Sequence, residues 1–170
     1  RDLGLAVSDS PVRCLDCIDP RCLSEPSNDG CLSFHCMNEK FIRVLLIEDH
    51  AAIRAGLRML IERRPGLTVV GEVENCANAP GTVAREKPDI VLLDLNLCPQ
   101  DKCLDLLPEL LTASSQTRII LLTDVRDTDT LHRAMELGAM GFVPWERAPA
   151  ELVKAIEKVH AGEVWLDRSV

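Results

Sequence analysis

The chain has 170 residues, a formal net charge of −8, 46% apolar residues and only 3% aromatic ones. That length suits one domain plus a tail, and so few aromatics require a core of Leu, Ile, Val and Ala. The acidic balance argues against an unaided grip on a nucleic-acid backbone, and no apolar run approaches the roughly 18 residues of a membrane span. The N-terminus also lacks the basic-then-apolar order of a secretory signal, so the expectation is a soluble, cytoplasmic protein.

Residues 1–38 read as an irregular leader. Pro11, Pro20, Pro26 and Gly30 punctuate residues 1–36, and no period of 2 or 3.6 is sustained there. The first methionine is Met37, just before the regular patterning, and it is taken as the natural start in preference to a fragment of a longer chain. Five of the eight cysteines, Cys14, Cys17, Cys22, Cys31 and Cys36, lie in this leader beside His35. A metal site or a disulfide cluster would use them. Only CLDC has paired spacing, however, and the preferred reading gives them no defined role. Cys76, Cys98 and Cys103 read as small apolar residues in a reducing compartment.

From Phe41 onward short aliphatic runs alternate with helical segments, the pattern of consecutive βαβ units around a parallel sheet. FIRVLLI (41–47) opens the series. AAIRAGLRMLIERR follows, with Ile53, Leu57, Leu60 and Ile61 on one helical face and Pro65-Gly66 as the stop. After the strand LTVVGEV (67–73), NCANAPGTVAREKP is the weakest helix, because Pro80 and Gly81 are expected to interrupt it. DIVLL (89–93) leads into KCLDLLPELL, RIILL (118–122) into TDTLHRAMEL before Gly138, and MGFVP (140–144) into APAELVKAIEKVH before Gly162.

Ligands of an open parallel sheet bind beyond the carboxyl ends of its strands, most deeply where the strand order reverses. The residues after each run therefore carry the interest: Glu48 and Asp49, then Asp94, then Thr123, then Trp145. With strand order 2-1-3-4-5 the first and third runs are neighbours at the reversal, and three carboxylates face one another. Like charges so placed raise one another's pKa. A divalent cation removes the conflict, and oxygen-only ligands that leave room for water point to Mg²⁺. A single Asp at a strand end is as readily a helix cap, but three acids at the expected positions favour the metal.

IEDH, IVLLDLN and ILLTD, in this order and spacing, resemble the receiver domain of two-component response regulators across roughly residues 40–160. GAMGFVP and LVKAIEKVHAGEVWLD resemble, more narrowly, the NarL/FixJ-type transcriptional regulators, whose tail leads into a LuxR-type helix-turn-helix. The resemblance implies a flavodoxin-like (βα)5 fold, a doubly wound α/β parallel sheet. It would occupy residues 39–160, with 161–170 starting the linker to an output domain beyond Val170. DNA binding is then expected of a longer parent and not of this chain alone.

By the same resemblance Asp94 is the phosphoacceptor, taking a phosphoryl group from a phosphohistidine of a sensor histidine kinase. Glu48, Asp49, Asp94 and the backbone carbonyl of Asn96 hold Mg²⁺. Thr123 donates its hydroxyl to the phosphoryl group, and Phe142 stands where the family often places a switching aromatic, with plain core packing as the alternative. Such a domain is a signalling phosphoacceptor, at most slow in self-phosphorylation and dephosphorylation, and homodimers through the first and last helices are plausible.

Trp145 departs from the family pattern, which places a Lys after the fifth strand. A neutral indole cannot replace an ammonium beside a phosphoryl dianion. Asp124 occupies a place usually held by a small residue, and Arg147 is a possible partial substitute for the Lys. The alternative function is therefore an atypical receiver that works through protein contacts without phosphorylation. A phosphatase of the haloacid dehalogenase type fits less well, because its nucleophile follows the first strand and has a second acid two residues on. His50 reads as a first-turn residue at the rim.

Overall fold

Aliphatic runs buried on both faces dictate the centre of the molecule. The computed structural model describes residues 41–97, 99–124 and 127–166, with the backbone alone at Gln100. The expectations for the leader, for Cys98 and for residues 167–170 lie outside these. In chain order the elements are β1 (Ile42–Ile47), α1 (Ala51–Glu62), β2 (Leu67–Val73), α2 (Ala79–Glu86), β3 (Ile90–Asp94), α3 (Gln100–Ala113), β4 (Arg118–Thr123), α4 (Thr128–Glu136), β5 (Ala139–Pro144) and α5 (Ala148–His160). All strand pairs are parallel and the sheet order is β2-β1-β3-β4-β5. This is the expected flavodoxin-like doubly wound fold.

Val44, Leu45, Leu46 and Ile47 are all buried, as are Ile90 to Leu93 and Ile119 to Leu122. A strand covered by helices on both faces has no polar face to show, so its sequence runs apolar without alternation. Leu45, Leu93, Leu121 and Phe142 pack with Val83, Leu107 and Leu131 under α2, α3 and α4. Leu46, Leu92 and Ile120 pack with Leu57, Ile61, Leu152 and Ile156 under α1 and α5. Among the described residues no helix is long and apolar enough to cross a membrane.

Three expectations need correction. Ile53 is exposed, and Arg54 takes the buried position in the first turns of α1, with Leu57 and Ile61 after it. Pro80 does not interrupt α2; it lies in the first turn, where a missing N–H costs no helical bond, and eight residues follow the expectation of a short helix. Cys103 is fully buried in the layer under α3, as a small apolar residue would be, yet it is disulfide-bonded. Linear spacing carries no signal for a bond that depends on which sulfur meets it in three dimensions. Cys76 packs half-buried against the same layer.

Gly138 ends α4 with φ at +103°, and a Cβ there would run into Leu111 Cδ1. Both the left-handed backbone and the contact penalise a side chain. Gly138→Ala is expected to cost about 1–3 kcal/mol of folding stability, read from the midpoint of urea denaturation. Beyond α5 the chain returns along the free edge of β5: Trp165 N–H donates to Met140 O and Phe142 N–H to Trp165 O, both at 2.9 Å.

Candidate functional site

Strand register brings the acids together. Ile47 is the partner of Leu93 across β1 and β3, so Glu48, just past the end of β1, and Asp94, the last residue of β3, stand side by side where the sheet order reverses. On the far side of β3, Asp94 pairs with Leu122, and Thr123 follows it; Thr123 in turn pairs with Pro144, after which comes Trp145. Four strand ends thus deliver the expected residues to one rim.

Their environments differ sharply. Glu48 is 1% exposed and Asp94 5%, whereas Asp49 and His50 are exposed. The His50 N–H donates to Glu48 Oε1 at 2.9 Å, and the His50 ring Nδ1 lies 3.1 Å from Glu48 Oε1 and 2.7 Å from Asp49 Oδ1. One ligand atom from each of Glu48, Asp49 and His50 falls within 4.8 Å of the others. Asp94 Oδ1 accepts the Asn96 N–H at 3.0 Å and the Trp145 indole N–H at 3.3 Å.

Electrostatics follow from these contacts. Burial pushes the Glu48 carboxyl above the usual range; the His50 N–H pulls the other way, and the charge of Asp94 adds to the rise. Asp49 lies below the usual range: against some desolvation, its hydrogen bond with Glu48 and the nearby His50 ring favour its charged form. Burial likewise raises Asp94, opposed by the Asn96 and Trp145 donors and reinforced by the charge of Asp49. His50 is raised through its bond to Glu48 and the charge of Asp49.

The remaining expected residues are placed as follows. Thr123 is buried at the end of β4. Asn96 is exposed in the turn after β3. Phe142 is buried in the core under α4, 2% exposed. Asp124 is exposed at the rim, and Arg147 Nη1 lies 3.6 Å from Glu151 Oε1. Two features were missed in the sequence. His50 bridges the acid pair instead of merely starting the helix, and Arg54 donates to the backbone carbonyls of both Glu48 and Asp49. For Arg54 the signal existed: positions 54, 57 and 61 share one helical face, and a charged residue sat on the face that packs.

A family model described as the response regulator receiver domain matches residues 44–157. The chain belongs to this receiver family. It is similar to the nitrate/nitrite response regulator protein NarL of Escherichia coli, with 32% identity over 133 residues, 78% of this chain and 61% of that protein. It is also 33% identical over 126 residues to the DNA-binding transcriptional activator DevR/DosR of Mycobacterium tuberculosis, covering 74% of this chain and 58% of the relative. The receiver thus spans about three fifths of the length of these relatives. A LuxR-family two-component response regulator from Aurantimonas superposes with TM-score 0.69 at 34% identity, over 75% of this chain and 91% of the other. The isolated receiver domain of RcsB from Salmonella enterica, solved with phosphomimetic BeF3⁻, gives TM-score 0.68 at 25% identity, over 76% of this chain and 96% of the other.

The receiver's donor set suits Mg²⁺. Glu48 Oε2 is buried and has no hydrogen-bond partner, an arrangement that costs free energy unless a cation compensates it. Asp49 adds a hard oxygen donor within this compact group, and Asp94, outside it, adds another from the neighbouring strand end.

Proposed function

We propose that this receiver accepts a phosphoryl group on Asp94 from the phosphohistidine of a sensor histidine kinase, in a Mg²⁺-dependent phosphorelay. One observation carries the reading: the buried Glu48 carboxylate, whose Oε2 has no hydrogen-bond partner, follows the end of β1 beside Asp94, at the reversal of the sheet. In the transfer, an Asp94 carboxylate oxygen forms the new P–O bond while the P–N bond to the donor imidazole breaks, the imidazole taking up a proton as it leaves. Glu48, Asp49, Asp94 and the Asn96 backbone carbonyl would hold Mg²⁺, which offsets charge on the phosphoryl oxygens. Thr123 offers its hydroxyl to a phosphoryl oxygen, and Phe142, now packed inward, is the candidate for relaying the change.

The receiver domain of residues 39–160 would then steer transcription through an output domain reached by the linker that begins at 161–170, in the cytoplasm and with a homodimer as its working form. It acts as a phosphoacceptor with at most slow self-phosphorylation and dephosphorylation. Incubation with Mg²⁺ and a small acyl-phosphate donor, followed by intact-mass measurement, is expected to add one phosphoryl group to the wild type and none to Asp94→Asn. Equal labelling of both proteins would overturn the assignment.

A second reading has its own observation. The Trp145 indole occupies Asp94 Oδ1 with a neutral donor. It favours an atypical receiver that signals through protein contacts without phosphorylation. An unlabelled wild type alongside a labelled Trp145→Lys variant would decide for it.

A further inference from the structure

Arg54 is only 7% exposed, on the face of α1 that packs against the sheet. A guanidinium in that position is tolerated only when its donors are matched, and here they are. Nη1 donates to the backbone oxygens of Glu48 at 2.7 Å and Asp49 at 2.9 Å. Nη2 donates to Glu74 Oε1 at 2.8 Å and Nε to Glu72 Oε2 at 3.3 Å. Glu72 is itself fixed from the next turn of α1, because Arg58 Nε donates to its Oε1 at 2.7 Å.

One planar fork thus grips two consecutive carbonyls on one side and the carboxylates of Glu72, in β2, and Glu74, just after it, on the other. Holding the carbonyls of residues 48 and 49 fixes the two peptide planes that flank the Cα of Asp49, the first of which also adjoins the Cα of Glu48. The backbone that carries the two carboxylates is held from behind, by a group that touches neither of them. A lysine could not reproduce this, because a single ammonium lacks the rigid fork.

We infer that Arg54 is a positioning residue for the acid pair: it holds the backbone of Glu48 and Asp49 in the conformation that binds a divalent cation, and so sets the affinity for that cation. The inference rests on the reading of the rim given under the proposed function. It differs from a purely structural role in what a substitution would disturb. Outer partners that orient metal ligands commonly contribute 10- to 100-fold in affinity.

The test uses the full chain in a Trp165→Phe background, so that emission from Trp145, beside Asp94, reports MgCl2 titration. Wild type, Arg54→Lys and Arg54→Met are compared, with amide hydrogen exchange measured in parallel. Arg54→Met is expected to raise the apparent Kd for Mg²⁺ by about 10- to 100-fold, with Arg54→Lys recovering only part. Exchange should quicken at residues 48–50 while β4 and α5 stay as protected as in wild type.

An unchanged Kd, or loosening spread evenly through the sheet, would overturn the inference. If Arg54→Met does not fold, Arg54→Lys carries the same comparison. If the wild type itself takes up no Mg²⁺, the functional reading of the rim fails, and exchange still judges Arg54: unaltered loop protection refutes the anchoring and selective loosening upholds it.

Discussion

Trp145→Lys is expected to accept a phosphoryl group on Asp94 about 10²- to 10³-fold faster than the wild type from the same small donor. The argument begins at the 3.3 Å contact between the indole N–H and Asp94 Oδ1. That donor is neutral, and it belongs to a bulky ring set on a short turn, Trp145–Arg147, between β5 and α5. It helps the buried carboxylate keep its charge, one of two bonds that oppose the effect of burial. It cannot stabilise the extra negative charge that gathers on the phosphoryl oxygens during transfer, as an ammonium would. A preorganised charged donor commonly contributes about 3–4 kcal/mol to such a transition state, hence the expected factor. Time courses of intact mass measure it, with the double variant Asp94→Asn/Trp145→Lys as the control for labelling elsewhere. Equal rates for wild type and Trp145→Lys would mean that the indole does not limit transfer.

The contrast between fold and site shows what local pattern can carry. Each of the five runs of buried aliphatic residues was legible because a parallel strand covered on both faces has no polar alternation to confuse it. β2 begins and ends where the pattern placed it, and α5 spans Ala148–His160 as read. The acids were legible for a related reason: the residue after an apolar run is at the strand's end, and the sheet topology fixes which ends meet. Arg54 shares a face with Leu57 and Ile61 but was passed over, because a face counted by hydrophobicity selects Ile53, and the burial of a charged residue depends on acceptors supplied by the β1–α1 loop and by Glu72 and Glu74. The same holds for Pro80, whose meaning reverses between a helix interior and its first turn. Cys103 shows a further limit, since spacing alone does not say which thiols are bonded.

Glu48→Gln is expected to stabilise the metal-free chain and to abolish its stabilisation by Mg²⁺. Glu48 and Asp94 are both raised by burial, which means that folding disfavours their charged forms. The sign follows: each supports the fold fully only below its unfolded pKa, near about 4, and that support is lost as pH rises through the higher folded value. At neutral pH in the absence of metal the rim therefore works against folding. Glutamine keeps the shape of Glu48 and can still accept the His50 N–H at Oε1, but carries no charge, so a gain of about 1 kcal/mol is expected in EDTA. Mg²⁺ acts on the wild type in the opposite way. At a concentration 100 times its Kd it should add about 2.7 kcal/mol, because it binds the assembled rim and not the unfolded chain. Thermal unfolding with EDTA and with MgCl2 separates the two effects. The expected result is a wild-type midpoint that rises on the order of 10 °C with metal, and a variant midpoint that starts higher and hardly moves. A variant that responds to Mg²⁺ as fully as the wild type would remove Glu48 from the metal site, and a variant less stable in EDTA would show that the carboxylate's contacts outweigh its burial.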